Sequence, residues 1–152
     1  MGPNGELVVV GQFMLAANFG GTTLTSQNNT QDVFVVSMNA STGTVNWVRQ
    51  GGGGEGVDQP NGVSIGPDGS VAVAGEFRGT ATFDGGTLTS VIDPDTEEPS
   101  VDIFLQIYAG DGTAGWLKHG GADFVGDQAV FLWKAPQQGS TSRLPFGAGG
   151  GS

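Results

Sequence analysis

Two stretches of this chain, 64 residues apart, carry one sequence pattern twice. Gly2-Pro3-Asn4-Gly5-Glu6-Leu7-Val8-Val9-Val10-Gly11-Gln12-Phe13 returns as Gly66-Pro67-Asp68-Gly69-Ser70-Val71-Ala72-Val73-Ala74-Gly75-Glu76-Phe77. At the same offset Phe19 to Ser26 (FGGTTLTS) returns as Phe83 to Ser90 (FDGGTLTS). The offset then widens to 70, pairing Asp32-Val33-Phe34-Val35 with Asp102-Ile103-Phe104-Leu105. It settles at 69, where Gly43-Thr44, Trp47, Gly51-Gly52 and Asp58-Gln59 match Gly112-Thr113, Trp116, Gly120-Gly121 and Asp127-Gln128. The inserted residues fall in the acidic, proline-containing loop Val91 to Ser100. A match sustained this long, with insertions only in a loop, marks an internal duplication and constrains the fold to a repeated unit. The units divide as residues 1–61, a first and partial repeat, and residues 62–132, a second repeat plus the opening strand of another. Residues 133–152 form a linker-like or disordered tail ending in Gly149-Gly150-Gly151-Ser152.

Each unit reads as strands. Leu7 to Phe13 and Val71 to Phe77 are rich in β-formers and follow Pro-Asn-Gly or Pro-Asp-Gly turns. Asp32 to Met38 and Asp102 to Tyr108 are mostly apolar. Val45 to Arg49 and Ala114 to Lys118 carry one tryptophan each. A shorter strand covers Gly62 to Ile65, with a counterpart near Gln128 to Leu132. No window holds a helical period over the roughly 10–12 residues a helix needs. Glycine supplies 29 of the 152 residues, which suits many tight turns. The expected fold is all-β: two four-stranded antiparallel blades of a β-propeller. Two blades do not close a ring of about 4–8, so the chain is read as a fragment or as a protomer that closes by association. Identical chains would then form a homo-trimer or a homo-tetramer.

Fifteen acidic residues against five basic ones give a net charge of −10, which argues against nucleic acid and anionic membrane surfaces as partners. No apolar run approaches the length of a membrane span. Met1-Gly2-Pro3-Asn4 lacks the basic and apolar regions of a signal peptide. With no cysteine and one histidine, thiolate chemistry and multi-histidine metal centres within one chain are excluded.

Few residues suggest chemistry. Asp93, Asp95, Glu97 and Glu98 cluster in the inserted loop, and clustered carboxylates supply oxygen ligands to calcium. Their spacing is not that of an EF-hand, and the first repeat has neutral Gln27-Asn28-Asn29-Thr30 there, so a solvated insertion is preferred. Gly51 to Gly54 lacks the helix and lysine of a phosphate loop, and reads as a connection between repeats. His119 has no nucleophile motif near it. Glu76, Asp84 and Asp102 could form an acid pair for glycoside hydrolysis, yet Glu76 and Asp102 recur as Gln12 and Asp32, which favours structural roles. Trp47 and Trp116 could stack on a sugar ring, but a tryptophan that recurs with its repeat is expected to pack between sheets. Phe13 and Phe77, Phe19 and Phe83, and Phe34 and Phe104 are expected to do the same.

The succession of a glycine-bounded strand, FDGGTLTS, Asp-Ile-Phe-Leu, Gly-Thr-Ala-Gly-Trp, Gly-Gly and Gly-Asp-Gln resembles the bacterial β-propeller repeat called SBBP. The resemblance covers about residues 2 to 130. It implies a propeller, a secreted or cell-surface setting and an adhesive or scaffold role, with no catalytic residues; no cofactor is expected beyond the calcium that the acidic loop could take. The function expected is thus a non-enzymatic binding, adhesion or scaffolding module. A carbohydrate-binding propeller, or a glycoside hydrolase, is the alternative.

Overall fold

The structure, a computed structural model, describes residues 1–121. The expected strand near Gln128 to Leu132 and the tail lie outside the described residues. Among the described residues eleven strands run in order: β1 (Glu6–Phe13), β2 (Ala16–Phe19), β3 (Thr22–Thr25), β4 (Asp32–Asn39), β5 (Val45–Gly53), β6 (Gln59–Ile65), β7 (Val71–Arg78), β8 (Thr80–Phe83), β9 (Gly86–Thr89), β10 (Val101–Tyr108) and β11 (Ala114–Gly120). One 3-10 turn, Gln27–Asn29, precedes β4, and the described residues contain no α-helix. No helix there is long and apolar enough to cross a membrane.

Every ladder between strands is antiparallel. The second repeat forms the expected four-stranded sheet, in the order β11-β10-β7-β6. The first repeat differs from expectation. Its strands β1, β4 and β5 are extended by β8 and β9 into a five-stranded sheet, β1-β4-β5-β8-β9. Strands β2 and β3 form a separate two-stranded sheet.

The added strands form hairpins, β2–β3 between β1 and β4 and β8–β9 between β7 and β10, and the FGGTTLTS and FDGGTLTS motifs span the turn and second strand of each. Their bases are closed in the same way twice. Ser26 N–H donates to Leu15 O at 2.7 Å and Leu15 N–H to Ser26 Oγ at 2.8 Å. Ser90 N–H donates to Gly79 O and Gly79 N–H to Ser90 Oγ, each at 2.9 Å. The residue before the hairpin needs positive φ: Gly79 has 72°, and Leu15 is held at 66°. A β-carbon is disfavoured in that region, so Leu15 carries strain that Gly79 does not.

The main core lies between the two larger sheets. Val8, Val33, Val35 and Trp47 of the first repeat meet Val71, Val73, Phe77, Phe104 and Tyr108 of the second, with Ala81 and Phe83 from the β8–β9 hairpin. Trp47 and Tyr108 stand 5.7 Å apart between ring centroids. Phe77, Phe83 and Phe104 of the second repeat are buried in this core, whereas Phe19 and Phe34 of the first are only half-buried. Phe19 lies 4.7 Å from Phe34, and its counterpart Phe83 lies 4.4 Å from Phe104. Full burial of a side chain such as Phe77 contributes about 1.5–3 kcal/mol.

Candidate functional site

The richest chemistry among the described residues lies at the seam between repeats. Strand β5 ends in Gly51-Gly52-Gly53, and β8 pairs with it through Gly52↔Thr82 and Gly53↔Ala81. Small residues are required there. A Cβ on Gly51 would enter the Phe83 ring, and one on Gly53 would overlap the Thr80 carbonyl. On the other edge, Gln27 Nε2 donates to Gly52 O at 2.8 Å and Thr30 Oγ1 to Gly53 O at 2.6 Å. Gly51 to Gly53 thus form a strand end clamped from both sides and not only a connection, because missing side chains let two backbones approach.

Beneath this strand end lie two wholly buried carboxylates, Asp32 and Asp58. Asp32 Oδ2 accepts from Gln50 Nε2 at 2.8 Å and from Gln27 N–H at 3.2 Å. Asp58 Oδ2 accepts from Gly53 N–H at 2.7 Å. Gly52 separates the two: its Cβ would stand 2.7 Å from Asp32 Oδ1 and 2.9 Å from Asp58 Oδ2. Among the described residues, the buried side-chain atoms without a hydrogen-bond partner are Asp32 Oδ1 and Asp58 Oδ1. Burial pushes the Asp58 carboxyl up to about 7, opposed by hydrogen bonding from Gly53 and reinforced by the charge of Asp32. Burial also raises Asp32, against its hydrogen bonds from Gln50 and Gln27.

The second repeat keeps half of this pattern in view. Asp102 is wholly buried, accepts from Ser100 Oγ at 2.7 Å and from Val91 N–H at 3.2 Å, and lies against Gly121. Val91 matches Gln27, so each aspartate anchors the chain leaving its own hairpin. Asp127, the match of Asp58, lies outside the described residues. The sequence marks Asp58 as part of the repeat without showing its burial; its recurrence with a nearby glycine doublet is the available signal.

The seam also carries polar locks. Trp47 Nε1 donates to Gly110 O at 2.9 Å, and Arg49 Nε donates to Gly112 O at 2.8 Å. Arg49 stands 5.7 Å over the Trp47 ring and 3.4 Å from Asp84 Oδ2. Trp47 is therefore buried as expected. Trp116 is not: it is exposed beside a hollow of about 230 Å³ lined with Ser64, Gly66, Ser70, Ala72 and Ile107.

The remaining candidates are dispersed. Asp93 Oδ1 accepts from Asp95 N–H at 2.8 Å and Thr96 N–H at 3.3 Å, which caps the loop's turn, while Asp95, Glu97 and Glu98 are exposed. Among the described residues, no group of three or more histidine or acidic side chains is placed to hold a metal ion. Glu76 Oε1 accepts from Asn61 Nδ2 at 2.7 Å, Asp84 pairs with Arg49, and Asp102 is buried in its turn. His119 meets the edge of Phe77, with centroids 6.1 Å apart. No family model matches this chain, and no curated protein matches it either.

Proposed function

We propose that the chain is a non-enzymatic module built from two propeller blades of the SBBP type, serving binding, adhesion or scaffolding at a bacterial surface. The observation that carries this reading is how the repeats join. The hairpin of the second repeat adds to the sheet of the first, and Trp47 and Arg49 of the first repeat hydrogen-bond to Gly110 and Gly112 of the second. An architecture that spends its polar groups on joining repeats serves extension and display, leaving loops such as Val91 to Ser100 as the contact surface. The candidate acids Glu76, Asp84 and Asp102 each hold a different structural partner, which favours this reading over glycoside hydrolysis.

A carbohydrate-binding role is the second reading, and exposed Trp116 beside its hollow is the observation that favours it. Two experiments test the proposal. Antibody raised against the chain is expected to label intact producing cells; labelling only after permeabilisation contradicts the surface setting. A glycan array and a glycosidase panel are expected to give no signal with the wild type. Glycan binding lost in Trp116→Ala would favour the second reading, and turnover lost in Glu76→Gln would contradict a non-enzymatic role.

A further inference from the structure

Matching positions in the two repeats differ in exposure, and they do so in opposite directions on the two sides of the molecule. Val71 and Val73, where the second sheet meets the first, are 2% and 1% exposed; their matches Leu7 and Val9 on β1 are 42% and 38% exposed. Trp47, where the first sheet meets the second, is 8% exposed; its match Trp116 is 51% exposed. The glycines agree. A Cβ on Gly51 would enter Phe83 and one on Gly112 would stand 2.7 Å from Trp47. At their matches, a Cβ on Gly120 meets nothing nearer than Ile103 at 3.6 Å, and one on Gly43 meets nothing within 4 Å. The hairpins complete the pattern: β8–β9 is paired to β5, whereas β2–β3 is paired only within itself. Among the described residues, each half of the seam is present twice and joined once.

We propose that a second copy of this chain supplies the missing halves, so that copies associate head to tail. The edge carrying Trp116, Gly120 and Gly121 of one copy receives the β2–β3 hairpin and the Leu7 and Val9 face of the next. Applying the register Gly52↔Thr82 one repeat on sets Gly121 opposite Asn18. The intermolecular seam is the weaker one, because Lys118 and Gly20 replace the Arg49–Asp84 ion pair. Association by different faces is heterologous: it closes into a ring or grows, and never ends in a symmetric pair. This deepens the scaffold reading by naming the partner, and rests on that reading only for its biological purpose.

Light scattering on the full chain over a concentration series tests it. The wild type is expected to give multiples of the 15.4 kDa chain that increase with concentration. Trp116→Glu and Val9→Glu, each placed at an exposed position and checked for folding by circular dichroism, are each expected to stay at the mass of one chain. Mixed in equal amounts they are expected to form a two-chain particle and nothing larger, because each variant retains the face the other has lost. A wild type that stays at one-chain mass overturns the proposal, as do variants that still associate alone or a mixture that does not pair. A one-chain wild type destabilised by Trp116→Glu would assign that face to another part of the same chain, which also overturns it. Surface labelling of cells reads the scaffold role separately, so failure of one is distinguishable from failure of the other.

Discussion

Trp47→Ala is expected to destabilise the fold by about 3–5 kcal/mol, while Trp116→Ala, the same change at the matching position, is expected to cost less than about 0.5 kcal/mol. Urea denaturation at a concentration where the chain is monomeric makes the comparison. Trp47 sits in the core against Tyr108 and Gly112, and its ring N–H is bound to Gly110 O, so truncation opens a cavity between the sheets and removes a hydrogen bond. Trp116 has one face in solvent and no such lock. Local sequence around the two residues is similar, so the difference isolates what the neighbouring repeat contributes. Equal losses at the two positions would contradict the placement of Trp47 at the seam.

Asp58→Asn is expected to stabilise the protein at pH 8 and to flatten its pH dependence. The Asp58 carboxyl titrates near 3.8 when unfolded and is raised to about 7 in the fold. The folded state therefore holds a proton that the unfolded state has released. Stability from this group is fully present below about pH 4 and is lost as pH rises through about 7, by on the order of 4 kcal/mol. Asp32, raised by the same burial, acts in the same direction. Glu6, Asp68 and Asp111, lowered chiefly by local hydrogen bonds, act in the opposite direction on the surface. An amide keeps an acceptor for Gly53 N–H without the buried charge. Thermal melts from pH 4 to 8 should show the wild type losing stability across this range and the variant losing much less. At pH 8 the variant should melt several degrees higher, since 1 kcal/mol shifts Tm by about 2–8 °C in domains of this size range. Parallel profiles for the two proteins would contradict a shared buried site for Asp32 and Asp58.

The long strands were legible in the sequence because their apolar runs and turn residues are local signals. Val71 to Phe77 became β7 with its end one residue later, and Asp32 to Met38 became β4 in the same way. The hairpins were not legible. Each strand of the β2–β3 and β8–β9 hairpins has only four residues, next to a glycine-rich turn and with an exposed outer face, so alternation is too short to detect. The partner of β8 is also remote in sequence, and no local pattern encodes it. Trp116 shows a different limit. Recurrence fixes the type of residue at a position, but burial depends on what lies across the seam. Asp58 shows a third: an acidic residue in a glycine-rich stretch reads as solvated, and its burial follows only from the backbone approach that Gly51 to Gly53 permits.

The central claim is that the hairpin of one repeat belongs to the sheet of the other. Cross-strand nuclear Overhauser contacts between Gly52–Gly53 and Ala81–Thr82 test it directly in the wild-type chain. Such contacts are expected, together with slow hydrogen exchange of the amides that join β5 to β8. Contacts confined to the β8–β9 pair, with fast exchange along that edge of β5, would contradict it.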